Sequence, residues 1–256
     1  MRITFYLLIY AFIFCSPAFA TDKDSDIETN RPSFTFSSIV IPKGSLQVES
    51  GVQNAWVNGG QDILDIPETQ VRLGLLEKTE FQMFVPNYLL FYSRDQTNGG
   101  ATHLGEVGFK QQLPRIKSIQ SSLTASMNIP TGRNYFSGTG VQPVFRLPAS
   151  VQIGKHYQLC AMPSFLLFNA GRIPSYQQTA MLCRSIGRKT VVFAEYAGFF
   201  TRDLPPINFA HFGAEYKITP RNQVDLHFGF GLNRDAPTAF LGGGYSFRID
   251  KLWPSK

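Results

Sequence analysis

The ionisable side chains of this chain form no recognisable catalytic motif. The sequence lacks G-x-S-x-G, H-E-x-x-H and G-K-[ST] patterns, and its four histidines, His103, His156, His211 and His227, lack metal-ligand spacing. The Gly-rich stretch GRNYFSGTG lacks the lysine and the following helix of a phosphate-binding loop, so we interpret it as a surface loop. We therefore expect no enzymatic activity, no metal site and no cofactor.

Many ionisable side chains instead occupy alternate positions of segments that are otherwise apolar. In QVDLHFGFGLN, Asp225 and His227 fall on one side, whereas Leu226 and Phe228 fall on the other. Successive side chains of a strand point to opposite faces of the sheet. The stretch is therefore interpreted as a strand with one polar and one apolar face, and the neighbouring stretch NFAHFGAEYKI repeats the pattern.

The same period of two runs through the chain and predicts about twelve strands. Their connections alternate in character. Tight turns such as GKH, GRK and TPRN alternate with connections that are mostly longer and rich in Gly, Pro or Asn, such as SRDQTNGGA and TGRNYFSGTG. The predicted strands span residues 45–56, 62–75, 80–92, 102–113, 120–130, 141–154, 157–168, 175–187, 190–201, 208–219, 223–233 and 238–249.

The composition is unusual for a water-soluble exported domain. The 256 residues include 23 Phe and 10 Tyr, and only 16% are charged, which is less than a soluble domain usually carries. The predicted mature chain contains no run of about 18 apolar residues, so no transmembrane helix is expected. The net charge of +6 is diffuse, and nucleic acid is therefore not expected as a partner.

The N-terminus has the features of a secretory signal peptide. Arg2 precedes an apolar run from Ile3 to Cys15, and Ala18-Phe19-Ala20 forms an A-x-A cleavage site. A lipoprotein signal ending at Cys15 is the weaker interpretation, because bulky residues precede that cysteine. We predict a signal peptide at residues 1–20 and an exported mature chain.

Two architectures are compatible with short alternating strands: a soluble periplasmic β-sandwich and a barrel in lipid. The apolar set is dominated by Phe, Leu, Val, Ala and Tyr, and the polar set by Gly, Gln and charges of both signs. This favours a transmembrane antiparallel β-barrel of about twelve strands in the bacterial outer membrane, surrounded by outer-membrane lipid. An even strand number places both termini on the periplasmic side. The stretch from Gly242 through Tyr245 to Phe247 resembles the terminal signal for the outer-membrane assembly machinery.

The polar face of the barrel contains residues of both charge signs that are expected to line the lumen. They either form a selective pathway or pair across strands into structural ladders, and pairing is the favoured interpretation for any single residue. A three-residue turn at residues 220–222 would place Lys217 opposite Asp225 and Glu215 opposite His227. The predicted lumen residues are Glu49, Glu68, Arg72, Glu106, Lys110, Arg146, Glu195, His211, Glu215, Lys217, Asp225, His227 and Arg248.

Two cysteines fall on the same face of adjacent predicted strands. Cys160 and Cys183 are equally distant from the centre of the connection NAGRIP, so we expect them to be near neighbours. An exported chain permits a disulfide, but cross-strand geometry is often strained. A disulfide and two free thiols are both open, and no metal role is assigned.

The N-terminal stretch TNRPSFTFSSIVIPKGSLQVESG resembles the start of outer-membrane barrels of the transporter family named for the meta-pathway of phenol degradation. That family commonly begins T-D-R-P-D-F-T-E-S, then V-P-K-G, and IPTGRN and VDLHFGFGLN resemble later family motifs. This sequence departs at Asn30, Ser33 and Phe36, where the family often has acids. The matching positions include the N-terminal motif residues Arg31, Pro32, Phe34 and Thr35.

The resemblance implies an outer-membrane channel or transporter but no particular substrate. Our own hypothesis is that a small, hydrophobic or aromatic solute passes through or binds in its narrow, charged lumen. The alternative is a barrel that maintains the envelope without transporting anything. We expect a lead-in segment at residues 21–44 in the periplasm, the barrel at residues 45–249 and a tail at residues 250–256. Whether the lead-in hangs below the barrel or folds up into its mouth is open at this stage, with Pro32 and Pro42 limiting its backbone freedom.

Overall fold

The computed structural model describes residues 26–57, 59–93, 97–101, 104–130 and 140–253. The predicted signal peptide with Cys15, the histidine His103, most of the loop GRNYFSGTG and the last three residues lie outside this described part. All thirteen residues predicted to face the lumen lie within it.

Sixteen strand segments and one short helix, α1 (Phe168–Gly171), make up the regular structure of the described residues. Four pairs of segments, β2/β3, β4/β5, β6/β7 and β9/β10, are interrupted barrel strands, so the sheet is a barrel of twelve strands. The segments are β1 (Leu46–Val57), β2 (Gln61–Ile66), β3 (Gln70–Leu76), β4 (Thr79–Phe84), β5 (Tyr88–Tyr92), β6 (Thr97–Ala101), β7 (Leu104–Gln112), β8 (Ile119–Ile129), β9 (Gln142–Arg146), β10 (Ala149–Ile153), β11 (Tyr157–Leu167), β12 (Ile173–Ile186), β13 (Thr190–Thr201), β14 (Ile207–Thr219), β15 (Asn222–Gly231) and β16 (Ala239–Ile249).

Prolines account for three of the four interruptions. Pro67 separates β2 from β3, Pro86 separates β4 from β5, and Pro148 separates β9 from β10. A proline has no backbone N–H to donate to the neighbouring strand, so regular pairing stops there. The twelve strands were predicted in the correct number and order, but four of them are not continuous. Thr97–Ala101, predicted to belong to a connection, forms β6, because TNGGA has no alternation of apolar residues that would indicate a strand.

The sheet closes through antiparallel pairing of its first and last strands. β1 pairs with β16 from Leu46 opposite Ile249 to Trp56 opposite Ala239. Closure removes the free edge that would leave backbone groups without partners in lipid. The predicted all-β closed barrel is confirmed. Within the described residues, no helix combines the length and apolar character needed to span a membrane.

The two faces of the wall differ as the alternation predicted. Leu226 and Phe228 point outward and are 61% and 51% exposed, whereas Asp225 and His227 between them are buried. Every second residue of β15 follows this rule. The exposed face is apolar and the enclosed face is polar, as a barrel in lipid requires.

The predicted cross-strand pairs near the turn between β14 and β15 were wrong. The turn contains two residues, Pro220 and Arg221, and the pairing shifts at a bulge between Lys217 and Thr219. Lys217 therefore faces Gln223, Glu215 faces Asp225, and His227 faces Gly213. An alternating pattern gives the face of each residue but not the register, because a bulge and a shorter turn change the partners without changing the faces.

The outward face provides a stability test in lipid. Leu226→Arg should destabilise the folded barrel by about 2–4 kcal/mol, because it places a charge near the middle of the lipid-facing band. Urea unfolding in phospholipid vesicles, followed by tryptophan fluorescence, measures this difference. Leu226→Val is the matched control and should change stability much less. Equal stability of the arginine variant and the wild type would show that this face does not meet hydrocarbon.

Candidate functional site

The candidate site is the lumen, which contains residues 26–44 of the chain. This segment, called the inner segment below, has no helix or strand, yet Ile27, Val40 and Ile41 are almost completely buried. It begins at the short-turn end, where the Ile27 amide donates to the Pro220 carbonyl, and returns there, where the Gly44 amide donates to the Gly74 carbonyl. The inner segment is thus a loop that enters and leaves the barrel at the same end.

Acidic side chains of the wall accept hydrogen bonds from the inner segment's backbone. The Asn30 and Arg31 amides donate to Glu49 at 2.8 and 3.0 Å, and the Ile41 amide donates to Glu80 at 2.6 Å. A buried backbone amide must find a partner. Because the inner segment makes no regular secondary structure of its own, the wall supplies these acceptors.

Basic side chains of the wall hold the carbonyl groups of the same segment. Arg72 donates to the Glu28 carbonyl at 2.9 Å and the Ile39 carbonyl at 3.2 Å, and Lys110 donates to the Ile39 carbonyl at 2.9 Å. Arg72 and Lys110 are completely buried. Such burial is tolerated only where every charge is paired and hydrogen-bonded.

Arg72 forms ion pairs with two carboxylates, those of Glu49 and Glu80. Its Nη1 atom lies 3.0 Å from Glu49 Oε1, and its Nε atom lies 2.9 Å from Glu80 Oε1. Lys110 Nζ lies 3.9 Å from the same Glu80 oxygen. These four side chains form one buried network, which we call the charge cluster.

Arg31 is a charged side chain of the inner segment that forms ion pairs with carboxylates of the barrel wall. Its Nη1 atom is 2.6 Å from Glu68, and its Nη2 atom is 3.3 Å from Asp225. Burial acts to lower the pKa of the guanidinium, but Asp225 and Glu68 outweigh it and raise the pKa above its ordinary value. Gly51 and Gly244 make room for this group, since a Cβ atom at either would lie 2.2 or 2.6 Å from it.

Glu195 holds the other side of the inner segment. It accepts hydrogen bonds from the Phe34 amide at 3.0 Å, the Thr35 amide at 2.7 Å and the Thr35 hydroxyl at 2.6 Å. The same hydroxyl lies 2.6 Å from the Thr179 hydroxyl. A charged acceptor with several donors is roughly twice as strong a partner as a neutral one. Glu195 therefore fixes the position of the Phe34-Thr35 peptide.

The Phe34 ring lies in an aromatic pocket of the wall. Ring centroids of Phe199, Phe209, His211 and Phe240 lie 5.6, 5.9, 5.0 and 5.9 Å from it. The edge-to-face and offset arrangements are those that aromatic pairs favour. Aromatic packing therefore reinforces the hydrogen bonds that the same peptide makes to the wall.

A chain of polar contacts leads from this pocket across the wall. His211 Nδ1 lies 2.7 Å from Glu195, and His211 Nε2 lies 3.1 Å from His227 Nδ1. His227 is 3% exposed, and its Nε2 atom has no hydrogen-bond partner among the described residues. The chain therefore ends in a buried nitrogen that has no partner among the described residues.

Two cavities lie on either side of the inner segment. The upper cavity, of about 310 Å³, is lined by Arg31, Phe34, Phe36, Arg146 and His227 among others. The lower cavity, of about 250 Å³, opens toward the short-turn end; residues that line it include Ile27, Cys160, Met181, Cys183 and Lys217. Ser33 and Phe36 line both, so the inner segment is the partition between them.

The sequence from residue 29 to residue 249 matches the family model described as "Putative MetA-pathway of phenol degradation". The chain belongs to this family. No curated protein matches the sequence.

Solved structures show the same fold. An outer-membrane channel from Pseudomonas putida F1 is similar with a TM-score of 0.62 at 12% identity, over 83% of this chain and 98% of that one. The NanC porin is similar with a TM-score of 0.55 at 10% identity, over 80% of this chain and 100% of that one. This family member is accordingly a bacterial outer-membrane β-barrel, as the sequence predicted.

All thirteen predicted lumen residues of this family member point inward, but they have different surroundings. Glu68, Arg146, His211 and His227 line the upper cavity, and Glu215 and Lys217 line the lower one. The others contact the inner segment or a neighbouring charge and line neither cavity: Glu49, Arg72, Glu106, Lys110, Glu195, Asp225 and Arg248.

The residues that depart from the family's acidic pattern are also engaged. Asn30 donates to Gln70 at 2.9 Å and accepts from the Ser37 amide at 3.1 Å. Phe36 stacks on Phe84, with the Arg146 guanidinium 5.0 Å from its ring centroid. Arg146 thus makes a cation–π contact with Phe36 in addition to its ion pair with Glu106.

Sequence reasoning missed several residues that hold the inner segment. Glu80 is completely buried in the charge cluster, and Gln112 accepts from the Val40 amide at 3.1 Å. Alternation across the tight turn from Arg72 could have placed Glu80 on the inner face. Ser150 and Thr179, which contact Ser38 and Thr35, have no sequence signal of their own.

The cysteine prediction was partly resolved. Cys160 and Cys183 lie on the paired strands β11 and β12, two residue pairs apart in register, and both are buried free thiols. Their predicted proximity is confirmed.

A substitution at Gly51 tests whether the ion pairs of Arg31 stabilise the barrel. Gly51→Ala should displace the Arg31 guanidinium, because the new Cβ atom would overlap it, and should cost about 1–3 kcal/mol through lost charged hydrogen bonds. Urea unfolding in vesicles measures the loss. Gly243→Ala is the control: its Cβ atom would lie 3.1 Å from the Asp225 carbonyl and would not meet the Arg31 guanidinium, so it should cost less than Gly51→Ala.

A double variant tests whether displacement of Arg31 causes the loss of stability in Gly51→Ala. If Gly51→Ala acts through Arg31, its effect should largely vanish in an Arg31→Gln background. Full additivity of the two substitutions would contradict this explanation.

Proposed function

We propose that this protein is an outer-membrane channel for a small solute, with a lumen narrowed by its own inner segment. The observation that carries the proposal is the presence of two cavities, one at each end of a closed barrel, separated by a single loop. The similarity of the fold to a channel and a porin supports it. The short-turn end is assigned to the periplasm, because outer-membrane barrels have their short turns there.

The chain enters and leaves the partition at the same end of the barrel. Both ends of the inner segment lie at the short turns, and its tip near Arg31 to Phe36 meets the upper cavity. A loop of this kind can withdraw toward the short-turn end without breaking the barrel, because its contacts are side-chain contacts and not strand pairing. Permeation then requires the tip to leave its contacts with Glu195 and the aromatic pocket.

The upper cavity favours a solute with an aromatic or apolar body and one hydrogen-bonding group. Phe34, Phe36, Phe84 and Phe199 contribute apolar surface to it, whereas Arg31 and Arg146 are already paired with carboxylates. His227 lines the same cavity, and its buried Nε2 atom has no partner among the described residues, so a hydroxyl group bound beside it would satisfy this nitrogen. Mostly apolar walls with few polar groups are typical of small-molecule sites.

A barrel that maintains the envelope without transport is the second candidate. The charge cluster favours it, because Arg72 and Lys110 attach the inner segment firmly to the wall. The two candidates differ in whether the tip of the segment moves, which ion conductance measures directly.

Phe34→Ala should open the partition. Loss of the ring removes the packing that holds the tip in the aromatic pocket, so purified protein in planar bilayers should show higher conductance or longer openings than the wild type. Phe200→Ala, on the outward face of β13, is the control and should behave like the wild type. Absence of current from both the wild type and Phe34→Ala, in correctly folded protein, would support the non-transporting candidate.

His227→Phe tests the class of solute. Benzyl alcohol should reduce the ion current of the wild type more than glycerol does, because its ring and hydroxyl match the upper cavity. His227→Phe keeps an aromatic ring but removes Nε2, and should weaken this block about five- to tenfold, as expected for one lost hydrogen bond. His156→Phe, at an exposed turn, is the matched control. Equal block by both alcohols would contradict the proposed solute class while leaving the channel itself intact.

A further inference from the structure

Three sulfur atoms lie together on the inner wall of the lower cavity. Cys160, Met181 and Cys183 are 8%, 9% and 9% exposed and pack against one another and Phe193. Cys160 is directly opposite Met181 on the paired strands, and Cys183 is opposite Gln158, the next inward position. All three side chains therefore point from β11 and β12 into the same space.

The sulfur atoms have few competing interactions. Both cysteines are free, and they belong to the same buried cluster. Cys160 also makes a weak contact with Gln158 at 3.6 Å. Their cavity, of about 250 Å³, is open toward the short-turn end, so a small ion can reach them.

We propose that Cys160, Met181 and Cys183 form a binding site for a soft monovalent metal ion of the Cu(I) class. Thiolate and thioether sulfur select Cu(I) over hard cations, which prefer oxygen. Met contributes an uncharged, polarisable ligand that tolerates irregular geometry. The three sulfur atoms provide a small, all-sulfur ligand set on rigid strands.

Binding changes the charge of the site in a defined way. Two metal–thiolate bonds form, the two thiol protons pass to water, and the thioether adds a third bond without losing a proton. The complex of one monovalent ion with two thiolates has a net charge of −1. Lys217 and Arg188 line the same cavity together with Glu28 and Glu215, so its ionisable lining includes two basic and two acidic side chains.

The proposed site does not depend on channel activity. It lies in the lower cavity, whereas the solute-binding features proposed above lie in the upper one. Failure of either proposal therefore leaves the other standing. The competing chemistry is oxidation of the two thiols to a disulfide, which requires an external oxidant.

Silver ion is the probe, because Ag(I) resembles Cu(I) but does not exchange electrons with thiols. Full-length protein from outer membranes, in detergent, reduced with a phosphine and then freed of the phosphine without air, should bind about one Ag(I) per chain, measured by elemental analysis after gel filtration. Binding should also protect both thiols from maleimide. A reduced wild type that binds no Ag(I), or remains fully labelled, would overturn the proposal.

Two variants separate the ligands. Met181→Leu keeps the packing volume and both thiols. Mutation of a residue that only supports a metal ligand weakens metal affinity about ten- to hundredfold, so loss of the thioether ligand itself should weaken Ag(I) affinity at least as much. Met162→Leu, a buried methionine on β11 that lines the upper cavity, should bind as the wild type does. Unchanged affinity in Met181→Leu would show that the thioether is not a ligand.

A double substitution tests the thiols. Cys160→Ser with Cys183→Ser should abolish binding, and circular dichroism confirms that this variant is folded. Retained binding would place the metal elsewhere and overturn the assignment. Isolation of wild-type protein with a disulfide between these residues, which then fails to bind Ag(I) after reduction, would also overturn it.

Discussion

The structure depends on buried charged side chains that find their partners in a segment without secondary structure. Glu49, Glu80 and Glu195 face the inside of the barrel and accept backbone amides of the inner segment. Arg72 and Lys110 bind its carbonyl groups. Without the inner segment, these charged side chains of the wall could pair only with water or with one another. Without the barrel, the backbone amides of the inner segment would lose their hydrogen-bond acceptors.

This mutual dependence explains why the lumen is both charged and narrow. Charges that would line an open pore are instead used to attach the inner segment, and seven of the thirteen inward residues predicted from sequence line neither cavity. The remaining space divides into an upper cavity with aromatic walls and a lower cavity with three sulfur atoms. The space left in the lumen is therefore lined by different side chains at its two ends.

The fold was largely predictable because lipid imposes a simple rule on every strand. Alternation in β15 and β14 identified the outward and inward faces correctly, including His211, Asp225 and His227. Register was not predictable, and the pairs proposed for Lys217 and Glu215 were wrong because of a bulge and a two-residue turn. The face to which a residue points is unchanged by such a bulge or turn, whereas its partner on the neighbouring strand changes.

The sequence by itself determined the closed barrel, its lipid-facing and enclosed sides, and the identity of most inward charges, because a period of two residues is a local property. Only the tertiary structure decided that residues 26–44 fold into the lumen, that Arg31 fits against Gly51 and Gly244, and that Phe34 enters an aromatic pocket. These contacts join residues up to about two hundred positions apart, such as Arg31 and Asp225. A local sequence pattern cannot predict such contacts, because each one forms only when the barrel closes around the inner segment.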